Sequence, residues 1–83
     1  KWPGVVKPGV TSAEPVTSVD YLPTIAEVTG LDLPKGRAID GISLAKHLSS
    51  QGKQSIEREA IYWHFPHYRH NPGPYSIIRE GPW

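Results

Sequence analysis

The chain has no cysteine and no methionine, and its only asparagine is Asn71. Without cysteine there is no disulfide framework of the kind that staples small secreted domains, no thiolate metal site and no cysteine nucleophile. Asn71 is followed by Pro72, so there is no N-glycosylation sequon. A complete reading frame normally starts with Met, so Lys1 is expected to be an internal point of a longer chain. The formal net charge is only +1 and the basic residues are scattered singly. That leaves no electrostatic footprint for nucleic acid. No apolar run approaches the roughly 18 residues of a membrane helix. Neither nucleic acid nor membrane is therefore an expected partner. There is no Gly-x-Ser-x-Gly elbow, no Gly-rich phosphate loop and no Pro-x-x-Pro ligand.

Proline and glycine are what the chain has in excess. Nine and eight of them make up about a fifth of 83 residues, against a usual share of roughly 12%. Hydrophobic residues make up 37% and the mean hydropathy is −0.42. A core this thin offsets little ordering entropy. At this length the chain is one small domain at most. Partial disorder, self-association or docking onto further chain is expected.

Lys1 to Ala13 reads as an extended entry, with strand-prone Val5-Val6 between Pro3-Gly4 and Pro8-Gly9. A helix is predicted over 19–29, with Ser18 or Asp20 as N-cap and Gly30 as the stop. Pro23 fits only in a first turn, where its missing N–H has no partner anyway. Tyr21, Leu22, Ile25 and Val28 fall on one face, which is expected to pack on a second copy or on the Tyr62–Phe65 strand. Leu31 to Asp40 is a loop. A short helix is predicted over 43–48, capped by Ser43. Ser49 to Ser55 reads as a polar, mobile stretch. Strands are predicted over about 59–65 and 74–79 from their aromatic and β-branched content.

The sharpest chemical feature is His64, His67 and His70, interleaved with Phe65, Tyr68 and Arg69. Three imidazoles suit a zinc ion. Pro66 and Pro72 favour an extended backbone, though, which would space the three about 9 Å apart. No metal site is assigned. Two other readings remain: an ordinary Pro-rich surface loop, or a substrate-contacting loop built from His64, His67, Tyr68 and Arg69. Aromatic faces stack on sugar rings, and an arginine forks onto sulfate or carboxylate. Asp20 and Asp40 have sufficient local roles as cap and turn former. Glu57-Arg58-Glu59 reads as a solvated charge run.

Five segments, in order, resemble the sulfatase family. They are Trp2-Pro3-Gly4-Val5, Val19-Asp20-Tyr21-Leu22-Pro23-Thr24-Ile25, Asp40-Gly41-Ile42-Ser43-Leu44, Tyr62-Trp63-His64-Phe65-Pro66-His67-Tyr68 and Ser76-Ile77-Ile78-Arg79-Glu80-Gly81-Pro82-Trp83. The resemblance implies an α/β, alkaline-phosphatase-like fold. Residues 1–55 would be the end of the catalytic domain and residues 56–83 the start of the C-terminal subdomain, opening with an antiparallel hairpin. It also implies a parent enzyme that hydrolyses sulfate esters with a formylglycine and Ca²⁺, on sulfated sugars, in a periplasmic, secreted or lysosomal setting. No Ser here has Pro two residues on, so no catalytic or metal residue carries over. The cofactors are expected in the parent and not in this segment. The rival class is a free-standing binding module with an aromatic and His-rich loop. Such a module should close its own core, whereas a piece of an enzyme should leave strand edges and an apolar helix face unpaired.

Overall fold

The stretch Thr17 to Gly30 organises the N-terminal half. Thr17 is extended, and the chain then turns through a 3-10 turn, Ser18–Asp20, into helix α1, Tyr21–Thr29. The N-cap of α1 is Asp20, one of the two expected residues, and Thr17 caps the 3-10 turn before it. The Asp20 carboxylate reaches back three residues to the Thr17 amide, at 2.9 Å. This is the reciprocal arm of a capping box, which satisfies an amide that the helix itself leaves free. Pro23 sits in the first turn of α1, where its missing donor costs nothing. Gly30 ends the helix in the left-handed region (φ 71°). Leu31 then donates to the Ala26 carbonyl at 2.9 Å, closing the helix in the manner of a Schellman stop.

Residues 1–68 and 73–83 are described in the computed structural model, so Arg69 and His70 lie outside the described residues. After a loop, helix α2 spans Ala45–Ser49, and the Ser43 hydroxyl accepts the Ala45 amide at 3.2 Å. Strands β1 (Ala60–Phe65) and β2 (Tyr75–Glu80) pair antiparallel, from Ala60 opposite Glu80 to Phe65 opposite Tyr75. Two short helices and a hairpin make an α/β assembly. Between Lys1 and Ala13 the expected extended strand does not form. Val5 and Val6 instead donate to the Trp2 carbonyl, and the segment turns at Gly4 and Gly9. Two Pro-Gly steps in nine residues leave too little uninterrupted backbone for a ladder. The Ser49–Ser55 stretch, expected to be mobile, is tied down. Ser50 Oγ donates to the His47 carbonyl at 2.9 Å and accepts the Gln54 amide at 2.9 Å.

The core is small, as the composition predicts. Ala26, Leu44, Ala45 and Ile61 are its buried apolar residues, and Pro23 is buried beside them. The two helices are in contact, and the buried residues of α1 are the small Pro23 and Ala26. Correspondingly, the large apolar face of α1 points away. Tyr21, Leu22, Ile25 and Val28 are between 41% and 61% exposed. That corrects the expectation that this face packs on the Tyr62–Phe65 strand: no Cα of β1 or β2 comes within 8 Å of either helix. The radius of gyration is 15.4 Å and the extents are 45 × 33 × 23 Å. A compact chain of this length would have a radius of about 12 Å. The open shape and bare helix face are what a closed module would avoid.

Gly41 has a packing role that no other residue fills. A Cβ there would lie 2.0 Å from the Val19 carbonyl oxygen, so the loop crosses the 3-10 turn at backbone contact. Gly36 also needs glycine, but only for its positive φ of 76°, and it has open space around it. Gly41→Ala should therefore destabilise more than Gly36→Ala. The expectation is at least about 3 kcal/mol for the clash against roughly 1–2 kcal/mol for a left-handed alanine. Urea unfolding of the two variants measures the difference.

Candidate functional site

Asp20 is the most buried side chain in the described structure, at 0% exposed. A carboxylate in that position must have its oxygens filled. Oδ2 accepts the Thr17 amide, and Oδ1 accepts the Ile42 amide at 3.0 Å together with the Arg58 guanidinium, through Nη2. One turn on, Thr24 Oγ1 donates to the Asp20 carbonyl at 2.6 Å and accepts the Leu44 amide at 2.9 Å. Asp20 and Thr24, four residues apart on one helical face, thus receive the alternate amides of Ile42 and Leu44. The Asp-x-x-Pro-Thr and Asp-Gly-x-Ser-Leu segments are two halves of one joint. Gly41 lets them touch.

Arg58 was read as part of a solvated run, and that reading is corrected here. Glu57 and Glu59 are exposed, but the Arg58 side chain is 11% exposed and ion-paired with Asp20. Its Nη1 is buried without a hydrogen-bond partner among the described residues, so Asp20 is its anchor. Burial by itself would push the Asp20 carboxyl up. The Arg58 hydrogen bond, the Ile42 and Thr17 amides and the Arg58 charge outweigh that and hold it below the usual carboxylate value.

A second joint holds the N-terminal segment to α2. His47 is buried, with Nδ1 at 2.5 Å from the Gln54 carbonyl and Nε2 at 2.9 Å from Ser12 Oγ. The carbonyl only accepts, so Nδ1 donates to it, and Nε2 shares a hydrogen bond with the Ser12 hydroxyl. Gln51 Oε1 accepts the Lys7 amide at 2.8 Å, and its Nε2 donates to the Val5 carbonyl at 2.8 Å. Reading the sequence alone missed His47, Gln51 and Arg58. His47 carried a signal, an imidazole on the same short helix as Leu44 and Leu48. Gln51 and Arg58 carried none, because their partners are 38 to 46 residues distant.

The proposed contact residues lie at the open end of the hairpin. His64 is on β1, opposite Ser76, with Nδ1 at 2.8 Å from Ser76 Oγ. Next to them Phe65 and Tyr75 stack, with centroids 5.1 Å apart and planes at 22°. His67 and Tyr68 follow in the loop, both exposed, and Tyr68 lies beside Gly73. Arg69 is outside the described residues. Among the described residues no three His, Asp or Glu side chains gather where they would hold a metal ion. The end of the hairpin thus presents stacked rings and exposed imidazoles, a surface suited to a ring-bearing polar ligand.

The buried pair makes two predictions. Asp20→Asn keeps the shape and removes the charge, leaving Arg58 buried alone, so urea unfolding should show a loss of about 3–5 kcal/mol. Because the folded-state carboxyl is depressed, its stabilisation is complete above the ordinary carboxylate range. It is lost as the pH falls through that range toward the lowered value. Unfolding midpoints taken from about pH 6 to about pH 3 should drop steeply in the wild type, and this share of the slope should be missing in Asp20→Asn.

The family model described as N-sulphoglucosamine sulphohydrolase, C-terminal, matches residues 1–78. A sulfatase of Formosa agariphila is 37% identical over 71 residues, covering 82% of this chain and 13% of the relative. Rat steryl-sulfatase is 39% identical over 62 residues, covering 75% and 11%. The N-acetylglucosamine-6-O-sulfatase of Bacteroides thetaiotaomicron is 32% identical over 81 residues, covering 96% and 14%. The chain spans about an eighth of the length of these relatives. With a family match over nearly its whole length, the chain belongs to the sulfatase family and corresponds to its C-terminal region.

Proposed function

We propose that this chain forms part of a sulfatase acting on a sulfated carbohydrate, in which it is a structural segment that also lends substrate contacts. In this reading residues 1–55 finish the catalytic domain and residues 56–83 open the C-terminal subdomain. The observation that carries it is the family match over residues 1–78. Two of the matching names, N-sulphoglucosamine sulphohydrolase and N-acetylglucosamine-6-O-sulfatase, contain an amino sugar, which supports a carbohydrate substrate. The bare apolar face of α1 supports a partner surface elsewhere in the parent chain.

The family's Ca²⁺ and formylglycine do not fit the residues of this segment. Asp20 is committed to Arg58, Asp32 and Asp40 stand exposed and apart, and there is no Cys to be converted. No step of sulfur chemistry is assigned to this chain. Its contribution is recognition. The stacked Phe65 and Tyr75 offer a ring face, His64 and His67 offer hydrogen bonds, and Tyr68 and Arg69 extend the same loop. Pro66 within it stiffens it, which lowers the ordering cost of holding a ligand.

Two outcomes are expected. The isolated chain should hydrolyse no aryl sulfate in the presence of Ca²⁺, and turnover that survives repurification would contradict the assignment. In the full-length enzyme, His67→Ala or Arg69→Ala should raise KM for a sulfated amino sugar and spare a small aryl sulfate. Each lost charged hydrogen bond should cost roughly 1.5–3 kcal/mol of binding. Equal damage to both substrates would show that the loop supports the fold instead, and no change with either would make it an ordinary surface loop.

A further inference from the structure

The hairpin has few ties to the rest of the molecule. Neither strand comes within 8 Å, Cα to Cα, of a helix or of the 3-10 turn. All of β2 is exposed, and on β1 only Ile61 is fully buried. Among the described residues, the hydrogen-bonded tie from one part to the other is Arg58. It lies two residues before β1, in a turn where its amide donates to the Ile56 carbonyl at 3.0 Å. Its guanidinium ends on Asp20, the carboxylate that also holds the 3-10 turn and the Ile42 loop. A charge pair with two further fixed partners, the Thr17 and Ile42 amides, is a stiff attachment point. The apolar burial of Ile61, with Ala60 and Trp63 half-buried on the same strand, is non-directional.

The far end is stiff as well. Six residue pairs run in register from Ala60 to Phe65, the His64–Ser76 hydrogen bond links the strands, and the Phe65–Tyr75 stack closes the last pair. Tilt at the base is therefore carried to the tip. At about 3.4 Å per residue, Phe65 stands about 17 Å from Ala60, so a tilt of about 10° moves the tip by about 3 Å. Displacements of that size decide whether a polar contact is made.

We infer that Arg58 is a positioning residue for the substrate loop: paired with Asp20, it sets the tilt of the hairpin and thereby the place of His64 and His67. The inference rests on the proposed recognition role of that loop. Arg58 touches no substrate and acts only through the strand that follows it.

The test uses the full-length sulfatase, with N-acetylglucosamine 6-sulfate and an aryl sulfate as substrates. Three variants are compared: Arg58→Lys, a single glycine inserted between Glu59 and Ala60, and His67→Ala. The insertion leaves the Asp20–Arg58 pair in place and frees the strand from it, at an exposed residue where the fold tolerates change. Arg58→Lys and the insertion should each raise KM for the sugar about tenfold or more, with kcat for the aryl sulfate unchanged. Combining Arg58→Lys with His67→Ala should add little to the worse single variant, because both act on one set of contacts. If His67→Ala raises the sugar KM while Arg58→Lys and the insertion leave it unchanged, the positioning role is overturned and the recognition role stands. If His67→Ala has no effect, the recognition role fails and the inference with it. Should Arg58→Lys not fold, the insertion decides: a wild-type sugar KM, or equal losses on both substrates, overturns the inference.

Discussion

A carboxylate with no exposure to water constrains everything around it. Asp20 gathers the Thr17 amide, the Ile42 amide and the Arg58 guanidinium onto two oxygens. Each partner belongs to a different stretch: the start of the first helix, the Gly41 crossing loop and the approach to the hairpin. Desolvating a carboxylate costs several kcal/mol unless its hydrogen bonds are restored, so the three stretches are ordered together or not at all. With so few buried apolar residues among those described, such a polar centre adds the directional constraint that a small hydrophobic core lacks.

Much of this frame was legible in the sequence. The helix start was marked by Pro23, which belongs in a first turn, and its end by Gly30. The hairpin followed from Ile61, Tyr62, Trp63 and Phe65 facing Tyr75, Ile77 and Ile78. Each of those signals is local. Asp20 was legible as the cap of α1, whereas the 3-10 turn before it was not, because the first-turn rules do not tell the two kinds of turn apart.

The misreadings share one cause. Arg58 stood between two glutamates, and nothing nearby distinguishes a solvated charge from one that reaches a residue 38 positions away. Val5-Val6 had strand propensity but no strand to pair with in this chain, and propensity in β-structure is mostly a statement about neighbours. The apolar face of α1 was read correctly as apolar, and of its two expected covers the Tyr62–Phe65 strand is not the one used. Amphipathicity specifies that a face needs cover and does not say what covers it. For the stretch from His64 to Tyr68, residue types were legible and arrangement was not. The sequence shows imidazoles and rings in alternation, but the Phe65–Tyr75 stack and the His64–Ser76 bond depend on strand register.

Gln51 deserves a different description from the other hydrogen-bonding side chains. With one carboxamide it accepts from the Lys7 amide and donates to the Val5 carbonyl, the two groups that a neighbouring β-strand would engage. It does so from a left-handed backbone position, φ 60°, which is uncommon for a side chain of this kind. The side chain thus acts as a one-residue surrogate strand. Strand-prone backbone whose polar groups are free is a template on which another chain can add. Here the Val5 carbonyl and the Lys7 amide are already engaged by one side chain, so the contact that anchors the N-terminal segment also withdraws those two groups from pairing with another chain.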